Sequence, residues 1–263
     1  MRRVRTLLVG VVAAAALATP GWLTASLQDA GAAPGIALVQ QSAAATTLGA
    51  TETVTLSSAP GAGHMLVLVW TNEADLVTVT SVSGGGVTWV KANQQNDNAN
   101  TGDNEVWYGL NSSGAGTAIT INLSGPATSL YSTAVLEFSG VPTAEPGVLD
   151  GKPAGTTGNG TTAVAPSITP AVGNELFVGL ISTSQARTGS PPGGGFTAIP
   201  LAGPSTHNQA GFLIATDPAA HQMSQTTVSG LFAGTAASFE PAAAPAPPAS
   251  APATVVVTPR FTG

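Results

Sequence analysis

Cysteine is absent from the chain, which excludes disulfides, thiolate metal sites and cysteine nucleophiles. Charge is scarce: Asp, Glu, Lys and Arg make up 8% of the residues, against roughly 25% in ordinary globular domains. Basic residues are scarcest of all. Arg2, Arg3 and Arg5 stand at the N-terminus, and Lys91, Lys152, Arg187 and Arg260 are scattered over the rest. A nucleic acid or an anionic membrane surface is held by clustered Lys and Arg, so this distribution argues against both as partners. The shortage of charge does not signal disorder, because 43% of the chain is hydrophobic and disorder goes with low hydrophobicity and high net charge.

What the chain does hold is Gly, Pro, Ala, Thr, Ser and Val, a composition suited to short strands joined by tight turns. Met1–Arg5 is a basic start, residues 6–18 are apolar, and small residues follow at Thr24-Ala25 and Gly31-Ala32-Ala33. That is the layout of a secretory signal peptide over residues 1–33, with cleavage near Ala25 or Ala32. The alternative is an uncleaved anchor, but Pro20 and Gly21 interrupt the run before the ~20 apolar residues a span needs. Arg2-Arg3 lacks the rest of a twin-arginine motif, which favours the general secretory route. No later segment is long and apolar enough to cross a membrane. The mature protein is therefore expected to be secreted or held at the cell surface. Residues 241–263 form a Pro/Ala-rich spacer and a short tail.

Between these ends, residues 34–240 read as one all-β domain. Short β-type runs recur at 65–70, 77–82, 87–90, 105–110, 118–123 and 133–138, then at 175–181, 196–199, 211–215, 226–229 and 236–239. Lead strands near 36–41 and 51–56 complete the set. No stretch sustains a 3.6-residue period. The two sets align in order. Gly63–Leu68 matches Gly173–Val178, Gly86–Val90 matches Gly195–Ile199, and Leu136-Glu137-Phe138 matches Ala237-Ser238-Phe239. This points to two related halves, about 50–141 and 161–240; the alternative is chance matching of Gly and Val. The expected architecture is a two-sheet antiparallel β-sandwich or jelly roll, with each half contributing to both sheets.

Gly86-Val87-Thr88-Trp89, Glu105-Val106-Trp107-Tyr108 and Leu136–Val141 resemble a pattern in exported β-sandwich proteins of high-GC bacteria, similar to concanavalin-like jelly rolls. The resemblance spans about residues 50–240. It implies a fold and an extracellular setting, and it carries over no catalytic residue.

No catalytic motif is present. His64, His207 and His221 accompany no Gly-x-Ser-x-Gly elbow, and no Glu-x-Asp-x-x-Glu run supplies a glycosidase pair. Glu105 and Glu137 lie on expected strands, where the simplest reading is a solvent-facing carboxylate. The segment Asp97–Glu105 is rich in oxygen ligands, and Asp97, Asp103 and Glu105 are candidate Ca²⁺ ligands. The alternative there is an Asn/Asp-rich hairpin loop. Trp107, Tyr108 and Tyr131 are candidate ligand-binding aromatics. Trp107 and Tyr108 alternate, so one of the pair is expected at the surface, while Trp89 and Trp107 are expected in the core.

Three functions follow. The first is an exported, non-catalytic module that binds glycans or the cell envelope. The second is a structural or adhesive surface protein. The third is a glycan-active hydrolase whose cleft no motif reveals.

Overall fold

The computed structural model describes residues 35–44, 49–72, 77–97, 102–127, 131–189, 191–202 and 206–244. The expected signal and most of the C-terminal spacer lie outside the described residues. Those described form a single compact unit with fourteen strands and no helix. The first eight strands are β1 (Ala37–Ala44), β2 (Thr51–Thr55), β3 (Met65–Asn72), β4 (Val79–Gly84), β5 (Thr88–Asp97), β6 (Gly102–Leu110), β7 (Ala118–Leu123) and β8 (Tyr131–Ser139). The remaining six are β9 (Leu149–Gly151), β10 (Thr156–Val164), β11 (Glu175–Thr183), β12 (Thr197–Ile199), β13 (Gln209–Ala215) and β14 (Ser224–Phe239).

All the named pairings are antiparallel. The first sheet runs β1-β8-β3-β6-β5, a small second sheet runs β2-β7-β4, and the third runs β10-β14-β11-β13-β12 with β9 on β14. The first sheet is the middle layer. Leu66, Leu68 and Trp70 on one face of β3 pack with Val54, Ile119 and Ile121 of the second sheet. Met65, Val67 and Val69 on the other face pack with Leu176, Val178, Phe212 and Phe239 of the third. Burial on both faces explains why β3 reads as the unbroken apolar run Met-Leu-Val-Leu-Val-Trp, with no polar residue at alternate positions.

An antiparallel sandwich is thus confirmed, but it has three sheets where two were expected, and they are not shared between the halves as the sequence suggested. The first sheet is drawn wholly from residues 37–139 and the third from residues 149–239. Two further differences concern individual strands. The runs at 226–229 and 236–239 belong to one sixteen-residue strand, β14, whose first part pairs β10 while its second part also pairs β11. The strand β10 was not expected, because its Gly158-Asn159-Gly160 reads as a turn.

The first and third sheets have corresponding strand orders, with β1, β8, β3, β6 and β5 in the places of β10, β14, β11, β13 and β12. Register corresponds as well. Met65 faces Phe138 as Leu176 faces Phe239, and Val69 faces Val106 as Leu180 faces Ala210. This sets Val67 against Val178. The sequence alignment set Val67 against Phe177, one residue away and on the opposite face of its strand. A strand has a side-chain period of two, so a one-residue slip exchanges every inward position for an outward one.

Candidate functional site

A cleft of about 540 Å³ opens beside the start of β5. Its walls come from two cross-strand pairs, Val90 with Tyr108 and Thr88 with Leu110. Val87 and Asn111 extend one side, and Thr143, Ala144 and Glu145 close the other. The second wall exists because the loop after β8 is anchored at both ends by Val141 and Val148, which are buried in the core between the first and third sheets. Between these anchors residues 143–147 are exposed, and Glu145 is the acidic residue among them.

Tyr108 joins the cleft to the core. Its ring lies 5.3 Å from that of Phe239, and its hydroxyl donates to Glu145 Oε1 at 2.6 Å. Burial raises the phenol pKa above its ordinary value, and the Glu145 carboxylate adds to the rise by accepting the hydrogen bond and by its charge. Tyr108 is therefore a neutral donor at any physiological pH. Val90 is 46% exposed and gives the cleft an apolar lip.

The other two aromatic candidates are placed elsewhere. Trp107 projects from the opposite face of β6 and is 8% exposed, with Lys91 Nζ 5.1 Å from its ring centroid. Tyr131 is fully buried against Trp70, their rings 6.1 Å apart. The expectation that Trp107 or Tyr108 would lie at the surface fails, because a layer packs on each face of the first sheet.

The candidate Ca²⁺ residues divide in a similar way. The side chain of Asp97 lies outside the described residues. Asp103 and Glu105 are brought together, two residues apart on one face of β6, and both are fully buried. Glu105 accepts from the Val79 amide and from Trp107 Nε1, each at 2.7 Å, and faces Lys91 Nζ at 2.8 Å. Asp103 accepts from Gln94 Nε2 through both oxygens, at 3.0 and 2.9 Å. Burial first, then the hydrogen bond to Glu105 and its charge, push Asp103 up to about 8. Among the described residues no three His, Asp or Glu side chains converge as a metal site would require.

A third arrangement carries no signal in the sequence. His64 Nδ1 lies 2.5 Å from Glu137 Oε1, which also accepts from the Gly61 amide at 2.7 Å. Gln40 Nε2 donates to the other oxygen at 2.6 Å. Glu137 is fully buried, not solvent-facing as its strand position alone suggested. Burial alone would raise its pKa; the Gln40 amide, the Gly61 amide and His64 together outweigh that and hold it below the ordinary range. Glu137 thus orients the His64 imidazole through Nδ1.

A buried charge needs partners, and Glu105 and Glu137 have them in full. They are built as structural groups. The cleft instead presents apolar surface with convergent polar atoms, the usual form of a ligand site, and its volume falls within the usual ~300–1,000 Å³. Apart from Tyr108 its lining residues were not expected, since nothing in the order of residues says that 143–145 fold back over β5. No protein-family model, curated protein or solved structure matches this chain.

Proposed function

We propose that the protein is an exported, non-catalytic β-sandwich module that binds a glycan or another cell-envelope component in the Tyr108–Glu145 cleft. The observation that carries this reading is the contrast between the open cleft and the closed carboxylates. Tyr108, Glu145, Thr88, Thr143 and Asn111 offer polar atoms around an aliphatic floor, whereas Asp103, Glu105 and Glu137 are buried. The signal-like N-terminus and the Pro/Ala-rich spacer support export to a surface from which the module is held at a distance. The corresponding strand orders of the two large sheets support a duplicated origin. The resemblance to concanavalin-like jelly rolls belongs to the same proposal, and rests on the residues that carry it.

A glycan array probed with the exported protein tests the binding. A specific hit that is lost in Val90→Asp, with the far-ultraviolet circular dichroism unchanged, supports the cleft. A blank array leaves the structural or adhesive role as the better account, favoured by the Thr- and Ser-rich exposed faces of β4 and β10. N-terminal sequencing of the exported protein tests cleavage near Ala25 or Ala32.

A further inference from the structure

The chemistry of the cleft is more specific than its polarity suggests. Val87, Val90, Leu110 and Ala144 line it with aliphatic groups, set among the polar atoms of Thr88, Asn111 and Thr143. Its one aromatic ring is unavailable for stacking, because Tyr108 is buried against Phe239 and contributes its hydroxyl alone.

Among the described residues, the only charged side chain in the lining is the Glu145 carboxylate. Tyr108 fixes that carboxylate by donating to Oε1 at 2.6 Å, while Oε2 has the Val148 amide at 3.4 Å, which is long for a hydrogen bond. An ionised carboxylate can accept about four hydrogen bonds, so these two leave it capacity for a ligand. Among the described residues no Lys or Arg lines the cleft to compete for it, and the chain carries a formal net charge of -6, which draws cations toward its surface.

An aliphatic slot ending in an oriented, uncompensated carboxylate is complementary to an aliphatic stem ending in a cation. We infer that the Tyr108–Glu145 cleft receives a lysine-type side chain of a peptide or protein partner, its methylenes on Val87, Val90 and Leu110 and its ammonium on Glu145. The inference rests on the reading of this cleft as a ligand site and names the class of its occupant.

The test is a nuclear magnetic resonance titration of the full chain with Nα-acetyl-lysine methylamide, and in parallel with Nα-acetyl-norleucine methylamide, which keeps the four-carbon chain and lacks the ammonium. The lysine compound is expected to shift the Val87, Val90, Tyr108 and Leu110 signals saturably, and the norleucine compound to do so far more weakly. Glu145→Gln is expected to weaken lysine binding about fivefold, the modest effect of an exposed ion pair. Salt near 1 M is expected to weaken binding in the wild type and not in the variant. Equal shifts from both compounds would overturn the ammonium inference while leaving the cleft as a ligand site. A glycan that binds at the cleft where the lysine compound does not would overturn it in the same way. Silence from both compounds and from the glycan array would remove the cleft reading together with the inference.

Discussion

Asp103 and Glu105 lie two positions apart on the same face of one strand, both fully buried, and a single ammonium, Lys91 Nζ, faces Glu105 at 2.8 Å. Two carboxylates and one cation in the same interior leave one negative charge too many. The fold resolves this with a proton: Asp103 is pushed up to about 8, so that at neutral pH the neutral acid donates to Glu105. The arrangement resembles a catalytic acid pair in its chemistry and differs in having no access to solvent.

That proton makes stability depend on pH. An acid whose pKa is higher folded than unfolded binds its proton more tightly in the native state. Its contribution is complete below the unfolded value of 3.8 and is lost as pH rises toward about 8. Glu52, pushed by burial to about 7 despite the Thr133 hydroxyl on its Oε2, acts in the same direction above 4.5. Glu137 has the opposite sign: its depressed pKa contributes stability above 4.5 that is lost as pH falls through the folded value. Urea midpoints should therefore peak on the acid side, near pH 5, and decline toward pH 8. Asp103→Asn, which keeps the donor to Glu105 and does not titrate, should gain stability relative to the wild type as pH rises from 5 toward 8 and level off above that. A midpoint that rises from pH 5 to pH 8 in the wild type would rule this out.

Lys91 has two roles that substitution can separate. Its ammonium faces Glu105 and lies over the Trp107 ring, and its methylenes add apolar packing that a shorter side chain would lose. Breaking a deeply buried pair costs about 3–5 kcal/mol. Lys91 is about a third exposed and Glu105 keeps two N–H donors, so Lys91→Met should cost about 1–2 kcal/mol. Lys91→Ala should cost more, by the lost packing of its methylenes. Adding Glu105→Gln to Lys91→Met should recover part of the loss, and a double-mutant cycle with no coupling would show that the pair is inert.

Asn72 clamps the start of β6, and the clamp depends on a glycine. Its side chain accepts from the Asp103 amide at 2.8 Å and donates to the Val77 carbonyl at 2.9 Å. Gly102 precedes Asp103 with φ +73°, where a Cβ would collide with the Asn72 side chain and carbonyl. Gly102→Ala should destabilise by about 2–4 kcal/mol, because a left-handed backbone and a steric clash add. Asn72→Ala should cost about 1–3 kcal/mol through the amide it leaves unpaired. Thermal denaturation of the two variants measures both.

The strands were legible in the sequence where one physical signal dominated. β3, β8 and β11 are buried on both faces, and their apolar content shows it. β10 was not legible, because Thr, Gly and Asn in a strand held by its neighbour look the same as those residues in a turn. Glu105 and Glu137 were read as solvent-facing because alternation gives a face and not what packs on it. The covering second sheet, and the amides and cation that satisfy these acids, come from residues some 14 to 97 positions away. Within the cleft, Tyr108 could be proposed from its residue type. Glu145 could not, since its place beside Tyr108 depends on how a loop anchored at Val141 and Val148 closes.

The two halves differ in one experimentally useful way. Trp70, Trp89 and Trp107 all lie in the first half, and the second half has no tryptophan. Phe239, at the end of the second half, is fully buried in the core between the first and third sheets, on Tyr108 and in register with Leu176. If that core joins the halves into one cooperative unit, damage on one side must appear on the other. Phe239→Ala removes a buried ring and should cost about 3–5 kcal/mol. Tryptophan fluorescence and far-ultraviolet circular dichroism should report the same lowered urea midpoint, since coincident probes mark a two-state transition. A fluorescence midpoint that stays at the wild-type value while the circular dichroism signal splits into two steps would mean that each half folds by itself and the shared core only docks them.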